Sequence, residues 1–389
     1  MSGALDGIRV LDLSRFVSGP MCTFFLASLG AEVIAVEPPE PTRSRRLAPL
    51  AHPDGGATTE YVDGAIAMPF LKRARGKRSV AIDITHPDGQ RLLRKIAEQS
   101  DIVVENARPG GTAKFGLGYD DLRALNPRLV YVAISGYGQD GPDLPAMDNI
   151  VQAASGFMAR TGFPDGPPLR AGTTIADHST AMFAALGALA ALRHRDATGA
   201  GQLVDVSMLD VLAAQVWDEP VDFYARTGRP LRSGNADARG APINTYECAD
   251  GWISVTCTSD RQWVALCERM GRPGLEREHA DAAVAAWAKT RPVDDVERIL
   301  LECRMPAGRV RDPLDALALA REDLLEDLRH PDAPEPSGFV GPRLPITFAG
   351  RVDLAPAEVL GASTEAVLRE LAGADDETLA RLRAAGVIA

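Results

Sequence analysis

Zinc-ligand spacing is missing from this sequence. The five cysteines, Cys22, Cys248, Cys257, Cys267 and Cys303, form no CxxC pair, and no histidine cluster lies beside them. No metal site is therefore expected. An odd thiol count, with no basic-then-apolar leader in the first seven residues, predicts reduced cysteines in a soluble, cytoplasmic protein. Positive charge is scarce as well. Acidic residues outnumber basic ones 53 to 42, for a formal net charge of -11, which argues against nucleic acids and anionic membranes as partners. Aromatics make up only 5% and form no basic–aromatic stripe on which bases stack. The longest apolar run, Ala181 to Leu192, falls short of the ~20 residues that cross a bilayer and reads as a buried helix. No GxSxG elbow exists, so His178 reads as structural rather than as the base of a hydrolase. The turn from Ser14 to Pro20 holds one glycine where a dinucleotide fingerprint needs a series, so Glu37, ending the next strand, belongs to a structural βαβ unit.

What is present is enough apolar material, 46% of 389 residues, for one large or two medium cores. Strand-like runs (Ile8–Leu13, Glu32–Glu37, Ser79–Asp83, Ile102–Glu105, Leu129–Ile134) alternate with helix-like segments (Met21–Ser28, Gln90–Gln99, Tyr119–Leu125). That alternation predicts an α/β fold with a parallel sheet covered on both faces. Two breaker-rich stretches, 225–242 and 330–345, read as linkers. They divide the chain into a large domain over 1–224, a small α+β domain over 243–329, and a C-terminal part, 346–389, that returns to the large domain. The small domain opens on the strand Trp252–Cys257 and continues as helical patterns through Leu328. The tail from Thr364 to Ala385 predicts two short helices parted by Gly373, with Leu368, Leu371, Leu379 and Leu382 buried.

Three segments carry candidate chemistry. Leu71–Arg78 holds five cations in eight residues. With Arg43, Arg45 and Arg46 upstream and Arg108 and Lys114 flanking Pro109-Gly110-Gly111, it offers a local anion patch or simply a solvated surface. Ser135-Gly-Tyr-Gly-Gln-Asp-Gly-Pro142 is a polar glycine-rich turn, suited to aiming amides at an oxyanion or to nothing beyond turning the chain. Asp177 stands at the start of the small-residue helix. Spacing favours an N-cap there, accepting backbone N–H bonds, and the helix dipole would keep such a carboxylate ionised as a nucleophile requires. Asp148 offers a second carboxylate.

Taken in order, these segments resemble family III CoA-transferases, the family of formyl-CoA:oxalate and carnitine CoA-transferases and of the related α-methylacyl-CoA racemases. The resemblance runs through Leu5–Leu13, Ser18-Gly-Pro20, Leu29–Ile34, Gly76-Lys-Arg-Ser79, Glu105–Gly110 and Ser135–Pro142. It is most specific from Gln152 to Gln202, and ends with Asp250-Gly-Trp252, Leu360-Gly361 and Gly386-Val-Ile388. It implies a Rossmann-like large domain, a small domain on long linkers, and two interlocked chains in a homodimer. It also implies that Asp177 is the nucleophile, with Asp148 in support. The carboxylate attacks an acyl-CoA thioester to give an anhydride, CoA thiolate returns to form an aspartyl-CoA thioester, and an incoming carboxylic acid takes over the CoA. Coenzyme A and acyl-CoA enter as substrates, with no permanently bound cofactor. By the same resemblance CoA lies against Val17, Ser18, Ile82, Asn106, Arg108 and Lys114. Arg43, Arg45 or Arg46 would substitute for the arginine that the formyl-CoA enzyme has where this chain has Pro38, and Arg78 is a further candidate. The covering glycine loop of that enzyme is shortened here to Ser233–Gly240. Met147 stands where the racemases carry histidine, and a thioether moves no proton, which disfavours racemisation. A racemase or a non-catalytic CoA-binding protein of the same fold are the alternatives.

Overall fold

The computed structural model describes residues 3–237, 240–333, 336–348, 350 and 352–389. Parts of the two breaker-rich stretches, of Ser233–Gly240 and of the segment after 346 thus lie outside the described residues. One compact unit comprises the described residues up to 155, 172–218 and those from 323 onward; a second comprises those of 156–171 and 219–322.

The first unit is organised by six strands: β1 (Arg9–Asp12), β2 (Glu32–Glu37), β3 (Lys77–Ala81), β4 (Ile102–Glu105), β5 (Val130–Ser135) and β6 (Leu203–Ser207). All pair in parallel, in the order β3-β2-β1-β4-β5-β6. Every residue of β4 and β5 is buried, and the β-branched and aromatic residues that make up most of both suit strands covered on both faces. Leu11 pairs with Ile34 on one side and Val103 on the other. The chain therefore winds outward in both directions from β1 and β4, and the crevice at their carboxyl ends is the switch point where such sheets bind ligands.

One core layer joins Leu11, Ile34, Val80 and Val103 to Leu93 and Ile96 of the helix Pro87–Glu98 and to the C-terminal helices Thr364–Ala372 and Asp376–Ala384. Leu368, Leu371, Leu379 and Leu382 are buried there, and Gly373 between the helices has φ +66°. The tail is tied to the sheet edge by bonds from Ala81 N–H to Thr364 Oγ1 (3.0 Å) and from Asp83 N–H to the Val387 carbonyl (2.8 Å).

The apolar run 181–192 is the middle of a longer helix, Ile175–Thr198, which packs on the helix Ser18–Ser28 and on β5 and β6. Alanines 181, 184, 188 and 191 make its buried face. At Gly187 a Cβ would meet Val204 Cγ1 at 2.6 Å, so glycine permits the close approach to β6. Among the described residues this helix alone is long and apolar enough to cross a membrane, and half of its apolar stretch is buried inside the protein. Strand β6 is absent from the pattern-based expectation: it is an edge strand, short, with Leu203 and Asp205 exposed.

A second difference lies at 325–342. Leu325–Arg329 and Pro336–Pro342 pair antiparallel, where helix through Leu328 and then linker were expected. The prolines stand at the two ends of the second strand, the positions where a ladder tolerates them. Leu328 is buried with Leu71 and Ala51.

In the second unit, Ile243–Glu247, Trp252–Thr256 and Ala307–Arg309 form an antiparallel sheet. Helices Asp260–Arg269, Ala280–Ala288 and Val293–Glu302 accompany it, and its core holds Ile253, Val255, Trp263, Leu266, Trp287 and Leu300. Ser259 and Gln262 close a capping box at the first of these helices. The five cysteines are free and buried.

Candidate active site

The loop leaving β1 is shaped by a short hydrogen-bonded set. Asp12, 2% exposed, accepts from Ser14 N–H (3.0 Å), the Ser14 hydroxyl, the Thr23 hydroxyl (2.5 Å) and Lys77 Nζ (3.1 Å). Lys77 spends its other donors on the Pro20 carbonyl (2.8 Å) and Thr23 Oγ1 (2.6 Å). Burial pulls its pKa down, with Asp12 opposing. Gly19 is needed beside this set because a Cβ would lie 2.2 Å from Ser14 Cβ. Asn106, on the loop after β4, clamps Arg15 by accepting its N–H (2.8 Å) and donating to its carbonyl (2.7 Å). It also reaches Ser18 Oγ at 3.4 Å. The clamp holds Phe16 at φ +67°, a conformation costing an L-residue roughly 1–2 kcal/mol. Glu105 turns the same loop by accepting from Ala107 N–H (2.7 Å), and burial raises its pKa to about 7.

Phe16 and Val17 thereby line a cleft together with Pro38, Leu47, Phe70 and Arg73. Its mostly apolar lining with a few polar groups suits a small-molecule site. Of the sequence-derived candidates, Val17 lines it and Ser18 and Asn106 do not, Asn106 instead holding Arg15, which does. Arg43 and Arg46 are exposed, Arg46 stacking on Tyr61 at 4.9 Å. Arg108 and Lys114 are exposed on the loop after β4; Arg108 has only a long contact to Asp143 (3.9 Å), both more than 60% exposed, which contributes little. Arg45 is engaged internally, donating to both Glu37 oxygens (2.6 and 2.7 Å) beneath Phe70. Two candidates point elsewhere. Ile82 is a core side chain, 1% exposed, and Arg78 pairs with Glu32 and Glu370 (2.5 and 3.1 Å).

The Leu71–Arg78 island is therefore not one patch. Arg75 pairs with Glu326 and donates to the Pro342 carbonyl (2.6 Å), Lys77 pairs with Asp12, and Arg78 with the Glu32 cluster. Arg73, in the last turn of the helix Met68–Ala74, has no hydrogen bond or ion pair among the described residues, and its Nε is shut off from solvent. Sequence reasoning included it in the island without singling it out, since nothing local separates it from its neighbours.

Asp177 is not a cap. It is the third residue of its helix, and its side chain accepts no hydrogen bond among the described residues. The capping is done from outside by Asp148, 8% exposed, on the helix Asp148–Ala154. Its Oδ1 accepts from Ala176 N–H (2.9 Å) and Asp177 N–H (3.4 Å), and its Oδ2 accepts from Gln152 Nε2 (2.7 Å). The half-buried Asp177 carboxyl is raised to about 7, first by burial and then by the Asp148 charge, while Arg73 draws it back down. Ionisation is thus weaker than the helix dipole alone implied. His178 is half-buried and its pKa is lowered, chiefly by burial and then by Arg73.

The family model for CoA-transferase family III matches residues 5–359. The chain is 35% identical to the succinyl-CoA–D-citramalate CoA-transferase of Chloroflexus aurantiacus, over 99% of this chain and 98% of that one. It is 34% identical to the succinyl-CoA:mesaconate CoA-transferase of Haloarcula hispanica, over 89% and 90%. Its structure matches that of a CaiB/BaiF family protein from Brucella suis with a TM-score of 0.80 at 30% identity, covering 95% and 100%.

Proposed function

Because the chain belongs to CoA-transferase family III, we propose that it moves CoA from an acyl-CoA to a carboxylic acid through covalent intermediates on Asp177. The observation that carries this reading is a half-buried carboxylate in the first turn of a helix, released from capping by Asp148. An Asp177 oxygen attacks the thioester carbonyl; the C–S bond breaks and CoA leaves as thiolate, giving a mixed anhydride. The thiolate attacks the aspartyl Cγ and expels the donor carboxylate, leaving an aspartyl-CoA thioester. The acceptor carboxylate attacks the same carbon and displaces thiolate, which then takes the acceptor's acyl group and restores Asp177. No proton is gained or lost, and one thioester replaces another. A carboxylate with its pKa near 7 is ionised often enough to start the cycle and is poorly solvated, which favours nucleophilic attack.

CoA is assigned to the cleft at the switch point, its pantetheine arm along Val17 and Ser18. Its phosphates go to the cations without strong internal partners, Arg43, Arg46, Arg108 and Lys114. Donor and acceptor are assigned to the short dicarboxylic class, since the two relatives are named for succinyl-CoA with citramalate or mesaconate. The interlocked homodimer belongs to the same reading. Met182, Phe183 and Leu186 leave an apolar stripe exposed on the Asp177 helix, and a second copy is proposed to cover it; a monomer in light scattering would refute that part. Racemisation is disfavoured, because Met147 supplies no base.

The test is trapping. After succinyl-CoA is added, hydroxylamine should convert Asp177 to its hydroxamate, located by peptide mass spectrometry. Turnover with Asp177 never modified would overturn the mechanism.

A further inference from the structure

Five cations stand between residues 71 and 78, and the fold gives Arg75, Lys77 and Arg78 carboxylate partners of their own. Lys72 and Arg73 receive none among the described residues, and of the two Arg73 lines the cleft, with Phe16, Val17 and Phe70. Its Nε is inaccessible to water, and no acceptor lies within hydrogen-bonding distance among the described residues. A half-buried guanidinium whose Nε is shut off from water and has no acceptor is a donor fork awaiting an anion, and planar carboxylates match that fork with paired hydrogen bonds.

We infer that Arg73 binds the distal carboxylate of a dicarboxylic acyl group and makes the enzyme selective for dicarboxylic over monocarboxylic acids. The inference rests on Asp177 being the reacting carboxylate. Arg73 and Asp177 are close enough for each to bias the other's protonation, yet they do not form an ion pair. In this reading a short acyl group whose carbonyl meets Asp177 has its far end at the Arg73 fork in the cleft. The phosphates of CoA do not compete for it, since the pantetheine arm holds them far from the thioester carbonyl. Asp177 itself is a poor permanent partner, because it is a covalent intermediate for part of each cycle.

The experiment compares Arg73→Met and Arg73→Lys with the unmodified chain. Succinyl-CoA and glutaryl-CoA serve as dicarboxylic donors, and butyryl-CoA and valeryl-CoA as their monocarboxylic counterparts. The inference predicts that the native enzyme prefers the dicarboxylic donors. Compared on the alkaline plateau, where Asp177 is ionised in every variant, Arg73→Met should lower kcat/KM for those donors at least tenfold while leaving the monocarboxylic ones unchanged or improved, and Arg73→Lys should fall between. Equal losses on both series would mean that Arg73 only holds Asp177 or the fold, and no loss would mean that it is idle; either overturns the inference. If Arg73→Met fails to fold, the native protein still decides, because equal rates with succinyl-CoA and butyryl-CoA refute dicarboxylate selection. Hydroxylamine trapping separates the two readings: Asp177 labelled equally by both donor series sinks only the role of Arg73, whereas Asp177 labelled by neither sinks the mechanism beneath it.

Discussion

Asp148 caps the helix that Asp177 belongs to, accepting the N–H bonds of Ala176 and Asp177 from 2.9 and 3.4 Å. One carboxylate is thus committed to the helix terminus, and the other accepts no hydrogen bond among the described residues and is disfavoured as an anion first by burial and then by its neighbour. The division of labour can be taken apart by substitution. Asp148→Asn keeps an oxygen for the N–H groups but removes the charge. It should cost little stability and move the Asp177 titration to lower pH. Asp148→Ala removes both and should cost about 1 kcal/mol, the usual worth of a cap, read as a lower denaturation midpoint in urea.

The pH dependence of activity follows from the same pair. With the Asp177 carboxyl at about 7, kcat/KM should rise through neutrality and level off above it, as the attacking group becomes anionic. Since Arg73 lowers that value, Arg73→Met should shift the limb upward. A profile flat from pH 5 to 9 would contradict the placement of the nucleophile in this environment.

Stability should show the reverse trend. A carboxyl whose folded pKa is raised from 3.8 to about 7 holds its proton in the native state where the unfolded chain has lost it. The native state therefore loses stability as pH climbs between those two values, and the full penalty stands above pH 7. Asp177→Asn should abolish turnover and remove the penalty. The variant should gain on the order of 1 kcal/mol or more over the native chain at pH 8, less at pH 5 and nothing at pH 3, measured by urea denaturation at each pH.

Lys77 and Asp12 form a buried pair, their side chains 4% and 3% exposed. Lys77→Met leaves Asp12 charged and unpaired beneath the β1 loop and should cost about 3–5 kcal/mol. Adding Asp12→Asn should recover part of the loss, because the stranded charge goes with it. Strict additivity of the two losses would show that the residues do not interact.

Much of the architecture is local and could be read off the chain. The strands Glu32–Glu37 and Ile102–Glu105, the helix Tyr119–Leu125 and the C-terminal helices about Gly373 stand where hydrophobic period and breakers put them. Periodicity is a property of neighbours in sequence, and a strand or helix with one buried face must display it. The signal fades where burial is partial, as in the edge strand Leu203–Ser207, and where a proline-rich segment pairs as a hairpin at Pro336–Pro342.

The chemistry was legible only as a set of residue types. That an aspartate opens the small-residue helix, and that cations crowd residues 71–78, is written in the order of residues. Which aspartate caps the helix and which is left free depends on another helix crossing its end. Which cations lack a partner depends on carboxylates that are 65 and 251 positions away for Lys77 and Arg75. Electrostatic pairing acts through space over a few ångströms, so it is settled by the packing of distant segments and leaves no trace in local spacing.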